Sequence, residues 1–174
     1  MYYQTKTARL LMRPLNMGDL EEVHDFSSDP ANTMYMEYLP NETVQETNTF
    51  LQNVSYEWTK DEPYYFEFAL ELNRELMGEV SVYLNESRDV GELSVIIHRA
   101  YWRNGLATEG LLAVKDFALN VLGLKKIVGR CDYRNTIAAH LMEKIGMHLE
   151  DDTGTRTYLG EAEPVPELTY SLSV

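Results

Sequence analysis

Residues 93–122 constrain the chain most. Leu93 to Ile97 is an apolar run of strand length, His98 to Gly105 is a turn ending in a glycine, and apolar residues then recur at helical spacing to about Leu122. Gly123 suits the end of that helix, and Lys125 to Cys131 reads as another strand. Two strands joined by a helix can lie parallel, because the helix carries the chain back to the edge where the first strand began. The same order aims the first helical amides, which lack internal partners, at one point, where the helix dipole adds partial positive charge. An anion such as a phosphate group can sit there.

Upstream, Tyr64 to Leu72, Leu76 to Leu84 and Val90 to Ile97 alternate with a period of two, joined by Asn73-Arg74-Glu75 and by Asn85 to Asp89. Connections this short imply antiparallel neighbours. Before them come a first strand over Thr7–Arg13 ending at Pro14, and a helix opened by Asn16 and Asp19 with Leu20, Val23 and Phe26 at helical spacing. One short helix is expected in Asp29–Leu39. Another is capped by Asn41 or Thr43 and carries Val44, Phe50, Leu51, Val54 and Trp58. Downstream, Asn135–Ile145 reads as a helix ended by Gly146, followed by closing strands Met147–Asp151 and Leu168–Val174. The expected fold is mixed α/β, a largely antiparallel sheet that is parallel only where a helix crosses over. At 174 residues, with no repeat or long linker, one domain over residues 1–174 is expected.

Fifteen basic against 28 acidic residues give a net charge of −13, which argues against a nucleic-acid partner and suits either a cationic substrate or solubility alone. The single cysteine, Cys131, excludes an internal disulfide; it lies in an apolar strand and reads as a buried structural thiol of a reducing compartment. From Met1 onward there is no basic start followed by an apolar stretch, and no segment approaches the roughly 20 apolar residues of a membrane span. A cytoplasmic monomer or homodimer without a membrane partner is expected. His24, His98, His140 and His148 form no metal spacing, so no metal is expected.

Two phosphate-binding motifs fail at Gly105. A P-loop needs a Lys followed by Ser or Thr, and Leu106-Ala107-Thr108 has no Lys; a dinucleotide fingerprint needs three spaced glycines, and this turn has one. What remains is a tight turn with Arg103 and Asn104, then small residues that let a pyrophosphate approach the backbone, with Arg103 available as counter-charge.

The run from Glu92 through His98-Arg-Ala-Tyr-Trp-Arg-Asn-Gly-Leu-Ala-Thr-Glu to Gly110 resembles motif A of the Gcn5-related N-acetyltransferases (GNAT), and within them the RimJ/RimL branch that acetylates protein N-termini. The superfamily's loop falls on Trp102 to Ala107. Asn135-Thr-Ile-Ala-Ala-His-Leu-Met-Glu-Lys-Ile-Gly-Met is similar to the branch's second motif, and Leu10-Leu-Met-Arg-Pro and Tyr170-Ser-Leu fit its two ends.

This resemblance implies acetyl-CoA as cosubstrate. It places the pyrophosphate on the amides of Arg103, Asn104, Gly105, Leu106, Ala107 and Thr108 behind Trp102. Backbone groups of Val95, Ile96 and Ile97 face the pantetheine amides and the thioester carbonyl. An amide aimed at that carbonyl would stabilise the oxyanion by roughly 3 kcal/mol. Asn135 contacts the cofactor near its thiol end, caps a helix, or does both. Glu92 is the expected base, acting through a water, with Glu109 as rival. The branch's serine is Ala138 here, and a tyrosine common in the superfamily is Met142, so neither side chain can protonate the leaving thiolate. Tyr101, Tyr133 or a water could, or the thiolate leaves unaided. Met34, Tyr35, Met36 and Tyr38 either wall the acceptor groove or pack the core. The expected reaction acetylates a protein N-terminal α-amino group. The alternatives are a polyamine or aminoglycoside-like amine, and a non-catalytic acyl-CoA-binding module.

Overall fold

The computed structural model describes residues 2–38, 40–158 and 161–174. Met1, and Leu39 at the end of the Asp29–Leu39 segment, lie outside them. Eight strands form one sheet: β1 (Thr5–Lys6), β2 (Leu10–Pro14), β3 (Tyr65–Leu72), β4 (Glu75–Leu84), β5 (Val90–Ile97), β6 (Lys126–Asp132), β7 (His148–Arg156) and β8 (Val165–Ser173), in the order β1-β2-β3-β4-β5-β6-β8-β7. Neighbours are antiparallel except β5 and β6, the pair joined by a crossover helix, as expected. The expected strand over Thr7–Arg13 is instead a hairpin. The amide and hydroxyl of Thr7 pair with the carbonyl and amide of Leu10, which folds the chain back between β1 and β2. The closing strands β7 and β8 run longer than expected, and β8 lies between β6 and β7.

The helices are α1 (Leu20–Ser28), α2 (Pro30–Thr33), α3 (Val44–Glu57), α4 (Leu106–Asp116) and α5 (Thr136–Lys144). Asn16 and Asp19 close a reciprocal cap ahead of α1, and Thr43, rather than Asn41, does so with Glu46 for α3. α4 widens into a π-helical segment at Phe117–Val121. Gly123 and Gly146 take φ of +71° and +92°, the left-handed conformation that ends a helix.

Alternation sends side chains to two cores. Phe66, Phe68, Met77, Val80, Leu93 and Ile127 pack with α4 and Phe117 on one face of the sheet. Ala69 and Ile96 pack with Leu15, Val23, Phe26, Leu51 and Val54 of the α1 and α3 layer on the other. At roughly 25 cal/mol per Å², side chains buried this fully hold the helices on both faces.

The feature that positions the site is where β5 and β6 part. Their pairing is confined to Val90↔Lys126, Gly91↔Ile127 and Glu92↔Val128, although β5 runs on to Ile97 and β6 to Asp132. The β4–β5 ladder keeps one register from Leu84↔Gly91 to Gly78↔Ile97. It is bracketed by bonds from Asn85 N to Val90 O (3.0 Å) and from His98 N to Met77 O (2.8 Å). The even-numbered residues of β5 therefore exchange bonds with β4. Leu93, Val95 and Ile97 point their backbone groups into the gap.

Candidate active site

At the end of β5 the chain builds the turn that the sequence singles out. Trp102 folds back so that its Nε1 donates to Ile97 O at 2.7 Å, closing the last free carbonyl of the strand. Arg103 and Gly105 both take left-handed backbone, φ +64° and +74°, with Asn104 between them. Such alternation turns successive amides toward one concave side. The first helical bond is donated by Glu109 to Gly105 O at 3.1 Å, so the amides of Leu106, Ala107 and Thr108 have no partner inside α4. Gly105 caps the helix with no side chain.

A cavity of about 800 Å³ lies against both faces of the sheet, and none of Trp102 to Thr108 lines it. Leu111, Gly129, Cys131, Asn135, Ala138 and Met142 line it from the α4–α5 side. Val23, Phe50, Glu67, Glu79, Ser81 and Tyr83 line it from the α1–α3 side. One cavity lined from both faces passes through the sheet, and it does so where β5 and β6 part. Val95 N–H and C=O face that passage. The backbone groups of Ile96 pair with Glu79 in the β4 ladder, and its side chain belongs to the α1–α3 core and borders the cavity.

The far wall holds a group that the sequence reading missed. Glu67 of β3 and Glu79 of β4 are diagonal neighbours on one face, because Glu67 pairs with Ser81 and Glu79 with Ala69. Tyr83 hydroxyl donates to Glu67 Oε1, while Glu79 Oε2 is buried and has no hydrogen-bond partner. Burial first, then the charge of Glu79, raise the Glu67 carboxyl well above the usual carboxylate range. Burial first, then the charge of Asp19, push the Glu79 carboxyl up to about 7. Among the described residues no Lys or Arg pairs with either carboxylate; the cavity's cations are occupied elsewhere. Arg130 donates to Glu92, and Arg156 bonds Glu167 at 2.9 and 3.0 Å. A signal for the pair was present, since an acidic residue inside a short apolar strand run is unusual.

Glu92 sits at the last paired position of β5, on the cavity wall, with Arg130 on its carboxylate. Glu109 is a structural anchor: Arg9 N and Arg9 Nε donate to it at 2.7 Å each, and Thr7 hydroxyl donates as well. Partial burial works against its ionisation, yet these bonds hold it below the ordinary carboxylate range. Asn135 Oδ1 accepts from Ala138 N at 3.1 Å, so it caps α5, and the residue also lines the cavity. Ala138 and Met142 line it too, which leaves no acid on that side of the helix. Tyr101 hydroxyl is bonded to Glu75 on the outer surface, and Tyr133 is half exposed; neither lines the cavity. Tyr35, Met36 and Tyr38 form its lip, while Met34 points outside it. Cys131 is buried, and burial pushes its thiol up to about 11. Among the described residues no group of His, Cys, Asp and Glu could hold a metal ion, and no helix is long and apolar enough to cross a membrane.

Residues 9–148 match the family described as acetyltransferase (GNAT) domain. The chain is 25% identical over 146 residues to the uncharacterized N-acetyltransferase YnaD of Bacillus subtilis (strain 168), covering 83% of this chain and 82% of that one. Its fold is similar to spermidine N-acetyltransferase from Vibrio cholerae in complex with CoA and spermine (TM-score 0.83, 20% identity, 96% of each chain). It is also similar to the ribosomal α-N-protein acetyltransferase RimL in complex with coenzyme A (TM-score 0.85, 13% identity, 99% of this chain and 98% of that one). A turn of bare amides, a cavity through a strand gap and a family match over most of the chain agree: the chain belongs to the GNAT acetyltransferases, enzymes that move an acetyl group from acetyl-CoA to an amine.

Proposed function

We propose that the acceptor is the α-amino group of a protein N-terminus, and that the amine and the thioester meet in the passage between β5 and β6. One observation carries this reading: a single cavity joins the α4–α5 face of the sheet to an acidic wall on the α1–α3 face. The amides of Arg103 to Thr108 hold the pyrophosphate, and Trp102, tied to Ile97 O, fixes the turn. Asn135 borders the thiol end. The Val95 amide, free of the ladder, donates to the thioester carbonyl and stabilises the oxyanion as the amine attacks. The acceptor enters as an ammonium and is drawn to Glu67 and Glu79.

Glu79 is the better base. Its carboxyl near 7 is matched to a neutral operating pH, its buried Oε2 has no hydrogen-bond partner, and the residue lines the cavity one position along the register from Val95. Glu92, the choice from sequence alone, has its carboxylate engaged by Arg130 and serves the wall instead. With Ala138 and Met142 at the family's acid positions, the thiolate departs without a side-chain proton. A thiolate is a far weaker base than an alkoxide, a cysteine thiol ionising at about 8.5, which makes it a tolerable leaving group. The aromatic and Met lip suits the first side chains of a peptide. A polyamine is the second reading, favoured by two buried carboxylates with no Lys or Arg paired to them among the described residues. The whole chain works as one domain, and a reducing cytoplasm suits its single thiol.

Thiol release from acetyl-CoA, measured across N-terminal peptides, polyamines and aminoglycosides, tests this. Turnover with peptides is the expected result. Turnover with spermidine alone would shift the acceptor to the second reading, and no turnover with any amine, despite bound acetyl-CoA, would leave an acyl-CoA-binding module.

A further inference from the structure

Arg9 stands in the β1–β2 hairpin, far in sequence from Gly105, yet its guanidinium lies over the amide turn. Its Nη1 donates to Asn104 O at 2.8 Å and its Nε to Glu109 Oε2 at 2.7 Å. A Cβ placed on Gly105 would lie 3.6 Å from Arg9 Nη2. Among the described residues Nη2 has no hydrogen-bond partner, and the Arg9 side chain is 46% exposed, so this edge of the fork is open. Arg103, by contrast, is exposed, and its side chain makes no hydrogen bond among the described residues. One guanidinium is thus fixed beside the bare amides before any ligand arrives; the other is loose.

We infer that Arg9 is a phosphate-binding residue of the cosubstrate site, held by Glu109 and the Asn104 carbonyl so that Nη2 meets a pyrophosphate oxygen seated on the turn. This rests on reading the turn as the pyrophosphate seat. It gives the hairpin a purpose. Thr7, Arg9 N and Arg9 Nε all converge on Glu109, in the first turn of α4, so the carboxylate that carries no catalytic role fixes the cation at the mouth of the helix. A planar fork held by two bonds keeps its third edge aimed, and a lysine at the same place would lose that geometry.

Calorimetric titration of the full chain with CoA, 3′-dephospho-CoA and pantetheine reads this. Charge-assisted bonds of this kind support about tenfold to a hundredfold in affinity. Arg9→Ala should weaken CoA and 3′-dephospho-CoA by that factor and leave pantetheine, which has no phosphate, unchanged; Arg9→Lys should recover only part. Lys6→Ala removes an exposed cation of the same hairpin that makes no hydrogen bond with Glu109, and should retain the affinity within about twofold. Unchanged CoA affinity in Arg9→Ala would overturn the inference. So would loss for CoA but not for 3′-dephospho-CoA, equal loss for pantetheine, or an equal loss in Lys6→Ala. If the unaltered chain binds CoA no tighter than pantetheine, the pyrophosphate seat itself is wrong, a failure that needs no Arg9 variant to detect.

Discussion

Glu79→Gln separates the acidic wall from ordinary surface charge. In the folded chain this carboxyl is pushed from its ordinary 4.5 to about 7. Between those values the folded chain holds a proton that the unfolded chain has released, so stability falls as pH rises through the window. Each pH unit corresponds to 1.36 kcal/mol, which makes the burden of this one group about 3 kcal/mol at pH 8 and about 1 kcal/mol at pH 5.5. An amide of the same shape carries no charge to desolvate. Urea unfolding of Glu79→Gln should therefore show a gain approaching 3 kcal/mol at pH 8 that shrinks to about a third at pH 5.5. At pH 8 the melting temperature should rise by roughly 10 °C for a chain of this length. Under the same conditions kcat should fall by about a hundredfold or more, and the rise in rate through pH 7 should disappear. A gain of equal size at both pH values would mean that charge burial is not the cause. A loss of stability at pH 8 would refute the placement of an unpartnered carboxylate in the cavity. A stabilised enzyme with unchanged turnover would remove Glu79 from the reaction and leave it as a feature of the wall.

Three further outcomes follow from the same geometry. Gly78→Ala would bring a Cβ within 2.3 Å of Ile96 O and 2.9 Å of Ile97 Cα, both backbone, so β5 must shift beside Val95; urea unfolding should show a loss of about 3 kcal/mol, with kcat falling as well. Gly105→Val, at φ +74°, should strain the turn and abolish CoA binding in calorimetry; retained affinity would move the pyrophosphate elsewhere. Arg156 is 7% exposed and bonds Glu167 through both Nε and Nη2, so Arg156→Ala should cost about 3 kcal/mol in chemical denaturation, because Glu167 is left with its charge poorly matched.

The parts legible from sequence are those set by neighbours along the chain. The meander of β3, β4 and β5 shows in its period of two and its short turns, and the strand, single-glycine turn and helix around Gly105 shows in a run of consecutive residues. The Thr43 cap and the glycine stops at Gly123 and Gly146 are similarly local. The hairpin at Thr7–Arg9 escaped because a side-chain bond from Thr7, rather than a change of period, breaks the strand. β7 is an edge strand, exposed over His148–Thr153 and rich in Asp, Thr and Gly, so it carries no alternation to read. The insertion of β8 between β6 and β7 depends on tertiary packing alone. The site divides in the same way. Its amide turn is local; Glu67 and Glu79 meet only through the β3–β4 register, and the Glu92 carboxylate is bonded by Arg130, a neighbour from another strand.

The most direct test of the account is a crystal structure of the chain with coenzyme A. The account expects the pyrophosphate on the amides of Arg103 to Thr108 with Arg9 beside it, and the sulfur in the gap between β5 and β6, within hydrogen-bond reach of Val95 N and open to Glu79. Phosphates seated away from Gly105, or a sulfur that stops short of the passage on the α4–α5 side, would contradict it.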